Sequence, residues 1–107
     1  MLAISRASTE YIRVPMASEQ SGGPYDPTGD GVVMAFLAGA GPPESGDWKT
    51  ASWDTDATTY PPTYLAQCLI GPAGGTVTLT AGVWTVWVKV TDSPEVPVKR
   101  AGQIKIF

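Results

Sequence analysis

Histidine and asparagine are absent from this chain, cysteine occurs once, and only 16% of its 107 residues are charged. Lack of His removes the commonest general base at neutral pH and the commonest metal ligand. Lack of Asn removes every acceptor for N-linked glycosylation. The single Cys68 excludes a disulfide within the chain, and its place in the apolar run LAQCLI marks it as a small buried hydrophobe rather than a nucleophile or ligand. Long hydrophobic runs are missing too: residues 32–40 form the longest, far short of the ~20 residues a spanning helix needs. Arg6 stands where a signal peptide would carry its apolar segment, so the expectation is a product made in the cytoplasm, with no membrane partner. The seven Lys and Arg are scattered apart from Lys99-Arg100, against ten Asp and Glu and a net charge of −3. No basic patch is evident, and nucleic acid is not an expected partner.

What the chain has is a hydrophobic content of 43%, with twelve Gly and ten Pro dividing it into short segments. That is the punctuation of a sandwich or small barrel, and no segment carries a capped helical stripe. Residues 83–91 give the clearest strand: Trp84, Val86, Val88 and Val90 share the core face, while Thr85, Trp87, Lys89 and Thr91 share the other. Residues 64–70 and 32–37 are further apolar strands. Shorter candidates lie at 10–16, 48–53, 76–79 and 102–107, making seven strands in all. Residues 17–31 and 38–47 read as loops. Residues 1–8 lack a strand pattern and read as an N-terminal arm that orders on assembly, leaving 9–107 as a single all-β domain.

The candidate chemical sites are thin. The run from Asp26 to Gly31 begins like a calcium loop, but position three is Thr28 and position twelve is Leu37 where a bidentate Glu is required, so it reads as a turn. Asp54 and Asp56 stand on one side of an extended segment and offer a carboxylate pair, yet no neighbouring cation in the sequence separates their roles; they read as solvated. The Gly71-Pro72-Ala73-Gly74-Gly75 run lacks the Lys and Ser or Thr of a phosphate loop and reads as a turn. No catalytic, cofactor-binding or metal-binding residues are assigned, and the chain is not expected to be an enzyme. Trp87 is the notable side chain, a large aromatic on the face that is normally polar in a sandwich, and it points to a partner. The Pro-rich stretch with Pro94, Val96 and Pro97 is a second candidate contact, since it presents carbonyls and apolar groups with little entropy left to lose.

The run Leu79-Thr80-Ala81-Gly82-Val83-Trp84 entering alternating valines resembles the corner before a late strand of immunoglobulin-like sandwiches, where an aromatic bonds back to the chain; Trp84 stands in the place of the usual Tyr. With Asp26-Pro27-Thr28-Gly29 ahead of an apolar strand and a last strand opened by Ala101-Gly102, the chain resembles the small immunoglobulin-like structural proteins of tailed phages. The N-terminal domain of baseplate upper proteins is one such group, and residues 90–106 are similar to small virion proteins of phages of actinobacteria. The resemblance implies a single immunoglobulin-like β-sandwich acting as a capsid decoration, minor capsid, head–tail connector or tail protein. It implies many copies per particle, contacts with other virion proteins, no cofactor, and location in the virion after synthesis in the host bacterial cytoplasm. A carbohydrate-binding or adhesion module is the competing expectation, prompted by four Trp residues.

Overall fold

The structure is a computed structural model describing residues 2–16, 19–20, 23–24, 29–39, 41–59, 62–91 and 96–107. Its strands are β1 (Leu2–Ile4), β2 (Glu10–Met16), β3 (Glu19–Gln20), β4 (Gly23–Pro24), β5 (Gly31–Leu37), β6 (Lys49–Thr50), β7 (Ser52–Asp56), β8 (Thr63–Ile70), β9 (Gly82–Thr91) and β10 (Val98–Ile106). A five-stranded sheet in the order β1-β10-β9-β5-β6 faces a three-stranded sheet in the order β2-β8-β7, and β3 and β4 form a separate ribbon. The fold is an all-β, immunoglobulin-like sandwich, with β5, β9 and β10 forming one sheet and β2, β8 and β7 the other.

Period-two alternation builds the core. On β9, Val86, Val88 and Val90 are buried and meet Val32, Met34 and Phe36 of β5 on the same sheet face. The opposite sheet supplies Ile12 and Val14 from β2 and Ala66, Cys68 and Ile70 from β8. Val88, Met34 and Cys68 are the largest fully buried side chains, so β9 is the central strand its β-branched sequence predicts. Two tryptophans brace this core from its ends. Trp84 packs against it and donates its indole N–H to the carbonyl of Thr80 at 2.8 Å, closing the corner that the sequence resemblance implies. Trp53, on β7, donates to the carbonyl of Asp30 at 2.9 Å and so ties the small sheet to the entrance of β5.

Several segments depart from the sequence reading of seven strands, and residues 17–31, expected as a loop, contain the short β3–β4 ribbon, whose two-residue strands are too brief to show a pattern. Residues 1–8, expected as an arm, instead contain β1, which pairs in parallel with β10 (Leu2↔Ile104, Ile4↔Ile106) and places Ile4 in the core. Three residues are too few for alternation to register, and a parallel partner a hundred residues away leaves no local trace. Residues 76–79, expected as a strand, make only a single bridge, Ile70↔Val77. Leu79 is buried there as part of the corner rather than as part of a ladder. The expected strand at 48–53 divides at Ala51, where the chain passes from β6 in one sheet to β7 in the other. The turn after β8 is as expected. Gly71 has φ +127, and a Cβ there would collide with the backbone of Ser8 and Thr9, so only glycine lets the turn lie against the start of β2.

Candidate contact surface

The outer face of the five-stranded sheet carries the side chains that the core does not use. Register aligns Val33 with Lys89 and Val98, Ala35 with Trp87 and Arg100, and Leu37 with Thr85 and Gln103. All nine stand opposite the valines of the core. A bulge at Ala101 makes this possible on β10, because the extra residue shifts the alternation so that Val98 and Arg100 share a face with Gln103 and Lys105. Gly102, with φ +123, takes the backbone conformation the bulge imposes.

This face is not uniformly wet. Ala35 and Thr85, beside Trp87, are 0% and 3% exposed, while Val83 and Val98 farther out are 43% and 47% exposed. Trp87 is half-buried, and its indole nitrogen is covered with no hydrogen-bond partner among the described residues. Lys89 reaches over the ring of Trp48, 4.6 Å from its centroid, and covers the neighbouring aromatic. Arg100 and Lys105 are exposed.

The structure places the second candidate contact beside the first. Val96 is 48% exposed, and Pro97, also exposed, accepts a bond from Val90 N–H at 3.1 Å through its carbonyl. That bond holds the stretch against the end of β9, next to Val98 and the outer face. Pro94 lies outside the described residues, as do Asp26, Pro27 and Thr28 of the proposed turn.

The outer face of the small sheet is a polar ladder. Arg13 donates from Nε to Gln67 at 3.2 Å and lies 3.4 Å from an Asp54 oxygen; Gln67 in turn donates to Ser52 at 3.3 Å. Arg13 also sits over the ring of Tyr11. Asp54 therefore has a cationic partner, which sequence proximity could not reveal because β8 stands between β2 and β7. Asp56 is held differently. The Thr58 hydroxyl and then its backbone N–H bond to the carboxylate and keep it below the usual carboxylate range. One carboxylate is thus paired across strands and the other caps a turn.

Three of the four tryptophans have partners within the chain. Trp84 and Trp53 spend their N–H groups on backbone carbonyls, Trp48 lies under Lys89, and Trp87 is half-covered. Cys68 is buried, and loss of solvent pushes its thiol above the ordinary value, with a bond from the Thr76 side chain opposing the rise. Between β2 and the β1–β10 edge lies a groove of about 150 Å³ lined by Leu2, Ile12, Val14, Val86, Ala101 and Ile104. Among the described residues no helix is long and apolar enough to cross a membrane. Comparison of the chain with protein-family models, curated proteins and solved structures finds no match to any of them.

Proposed function

We propose that this chain is a non-enzymatic structural component of a tailed-phage virion, held in place by protein–protein contacts through the outer face of its five-stranded sheet. Capsid decoration, minor capsid, connector and tail positions all belong to this reading. The observation that carries it is the apolar strip around Trp87. Val83 and Val98 are each more than two-fifths exposed there, and the covered indole N–H has no partner among the described residues. Covering such a strip contributes about 25 cal/mol per Å² of apolar area before association costs are subtracted. Repetition over many copies on one particle adds avidity without any new contact. Three of the four indoles have partners within the chain, Trp84 and Trp53 through backbone carbonyls and Trp48 under Lys89, which supports this reading over a carbohydrate-binding module built on several free rings.

The experiment is incorporation. Particles assembled with Trp87→Ala are expected to contain fewer copies than particles assembled with the unchanged chain, while the isolated variant still melts cooperatively. Equal copy number per purified particle would refute the contact surface, and absence of the unchanged chain from particles would refute the virion role.

A further inference from the structure

Four of the chain's seven cations, Lys89, Lys99, Arg100 and Lys105, stand on β9 and β10, and neither strand contains a carboxylate. The hairpin connection between them holds Asp92 and Glu95, outside the described residues. Register and the bulge put Lys89, Arg100 and Lys105 on the outer face with Trp87, Val83 and Val98. Cations that are scattered in the sequence are thereby gathered onto one face, with Arg100 beside Trp87, Lys105 beside Val83 and Lys89 between Val33 and Val98. The rest of the chain is acidic. Asp54 and Asp56 occupy alternate positions of β7, on the outer face of the small sheet with Ser52 and Gln67. β7 is the edge of that sheet away from β2, whereas β10 lies on the β2 side, as the groove shared by Ile12, Val14, Ala101 and Ile104 shows. The cationic face and the acidic edge therefore belong to opposite faces and opposite sides of the sandwich.

We infer that copies of this chain bind one another head to tail, the outer face of β9 and β10 on one copy receiving the β7 edge of the next. The inference deepens the contact-surface reading above and rests on it. The β7 edge carries two carboxylates against one cation, Arg13, which lies 3.4 Å from Asp54, so it keeps a net negative charge opposite in sign to the cationic face. Because the surfaces are different patches of one chain, the contact is heterologous and propagates into a ring or filament instead of closing as a dimer. Complementary charge sets register and encounter rate, and the apolar strip holds the contact once formed.

Sedimentation of the purified full chain tests this. The mean mass is expected to rise with concentration at an ionic strength of about 0.05 M and to return towards monomer at about 0.5 M, where exposed charges are screened. The double variants Arg100→Glu/Lys105→Glu and Asp54→Lys/Asp56→Lys are each expected to remain monomeric alone, because each carries like charge on both surfaces. An equimolar mixture of the two is expected to associate again. Recovery in the mixture requires both variants to be folded, and the salt dependence of the unchanged chain tests the inference without them. A chain monomeric at every concentration in low salt overturns the proposal. So does self-association of either variant alone to the extent of the unchanged chain, or failure of the mixture to associate when both variants keep their near-ultraviolet spectra. Binding of duplex DNA by the unchanged chain, lost in Arg100→Glu/Lys105→Glu with no self-association, would assign the cationic face to a polyanion and also overturn it. Trp87-dependent incorporation into particles without self-association would overturn this inference alone and leave the contact-surface reading standing.

Discussion

Trp84 divides its work between a hydrogen bond and packing, and two substitutions separate the shares. Trp84→Phe keeps an aromatic ring against the core but removes the 2.8 Å bond to the Thr80 carbonyl. That carbonyl lies at an exposed corner, where water replaces the lost donor, so the expected cost is about 1 kcal/mol. Trp84→Ala removes the ring as well. Full burial of a Trp side chain would set that cost at roughly 3–5 kcal/mol, and because Trp84 is only partly buried the lower end applies, ~3 kcal/mol. For a domain of this size each kcal/mol moves the melting temperature by about 4–8 °C. Thermal unfolding followed by circular dichroism should therefore show a drop of a few degrees for Trp84→Phe and of more than about 10 °C for Trp84→Ala. The ordering is the informative part. Equal losses would mean that the bond, not the ring, secures the corner, and no loss in either variant would refute the brace and the strand register that depends on it.

Two further outcomes follow from burial. Cys68 should resist a thiol reagent in native protein and react at once in denaturant, and rapid native labelling would place it at the surface. Its raised thiol value also has a direction for stability. The buried site favours the protonated form, so this contribution is fully present below the ordinary thiol value of about 8.5 and is lost as pH rises through the higher folded-state value; Cys68→Ala should flatten that alkaline decline. A chain beginning at Thr9 loses Ile4, which is 5% exposed, together with the β1 ladder and the bond from Phe107 N–H to the Ile4 carbonyl. Loss of one buried Ile side chain alone is worth about 2–5 kcal/mol, so melting should fall by about 10 °C or more; an unchanged melting temperature would show that the segment is an arm after all.

How far the sequence reveals the fold depends on whether a signal is local. β9 and β2 are legible because they alternate over seven or more residues, and β8 and β5 because they are short apolar runs bounded by Gly or Pro. β1 is not, since its only support is a partner at the other end of the chain. The early start of β10 at Val98 is hidden by its bulge: Val98, Arg100, Gln103 and Lys105 share a face only because Ala101 breaks the period, and an unbroken alternation would put Arg100 and Gln103 on opposite faces. The same bulge hides the contact surface, for the cations look dispersed until two strands are paired. Trp87 was legible as an outward aromatic because it alternates with core valines. The covering of its N–H was not, because that depends on neighbours from other strands.

β9 explains why contact and stability are separable in this domain. Its inner residues Val86, Val88 and Val90 belong to the core cluster, whereas Thr85, Trp87 and Lys89 belong to a second layer that stands outside it. Burial on both faces is the usual condition of a central strand between two layers, but here one of the layers consists only of side chains. Ala35 and Thr85 are excluded from water beneath that layer while Val83 and Val98 at its margin are not, so the covering is incomplete within one copy. A neighbouring surface placed over the margin would continue the layer already begun by Trp87, with the exposed Arg100 beside Trp87 and Lys105 beside Val83 to orient the approach. Exposed apolar and cationic side chains thus alternate on one face, and in this chain that face is produced by one strand period, one bulge and one glycine.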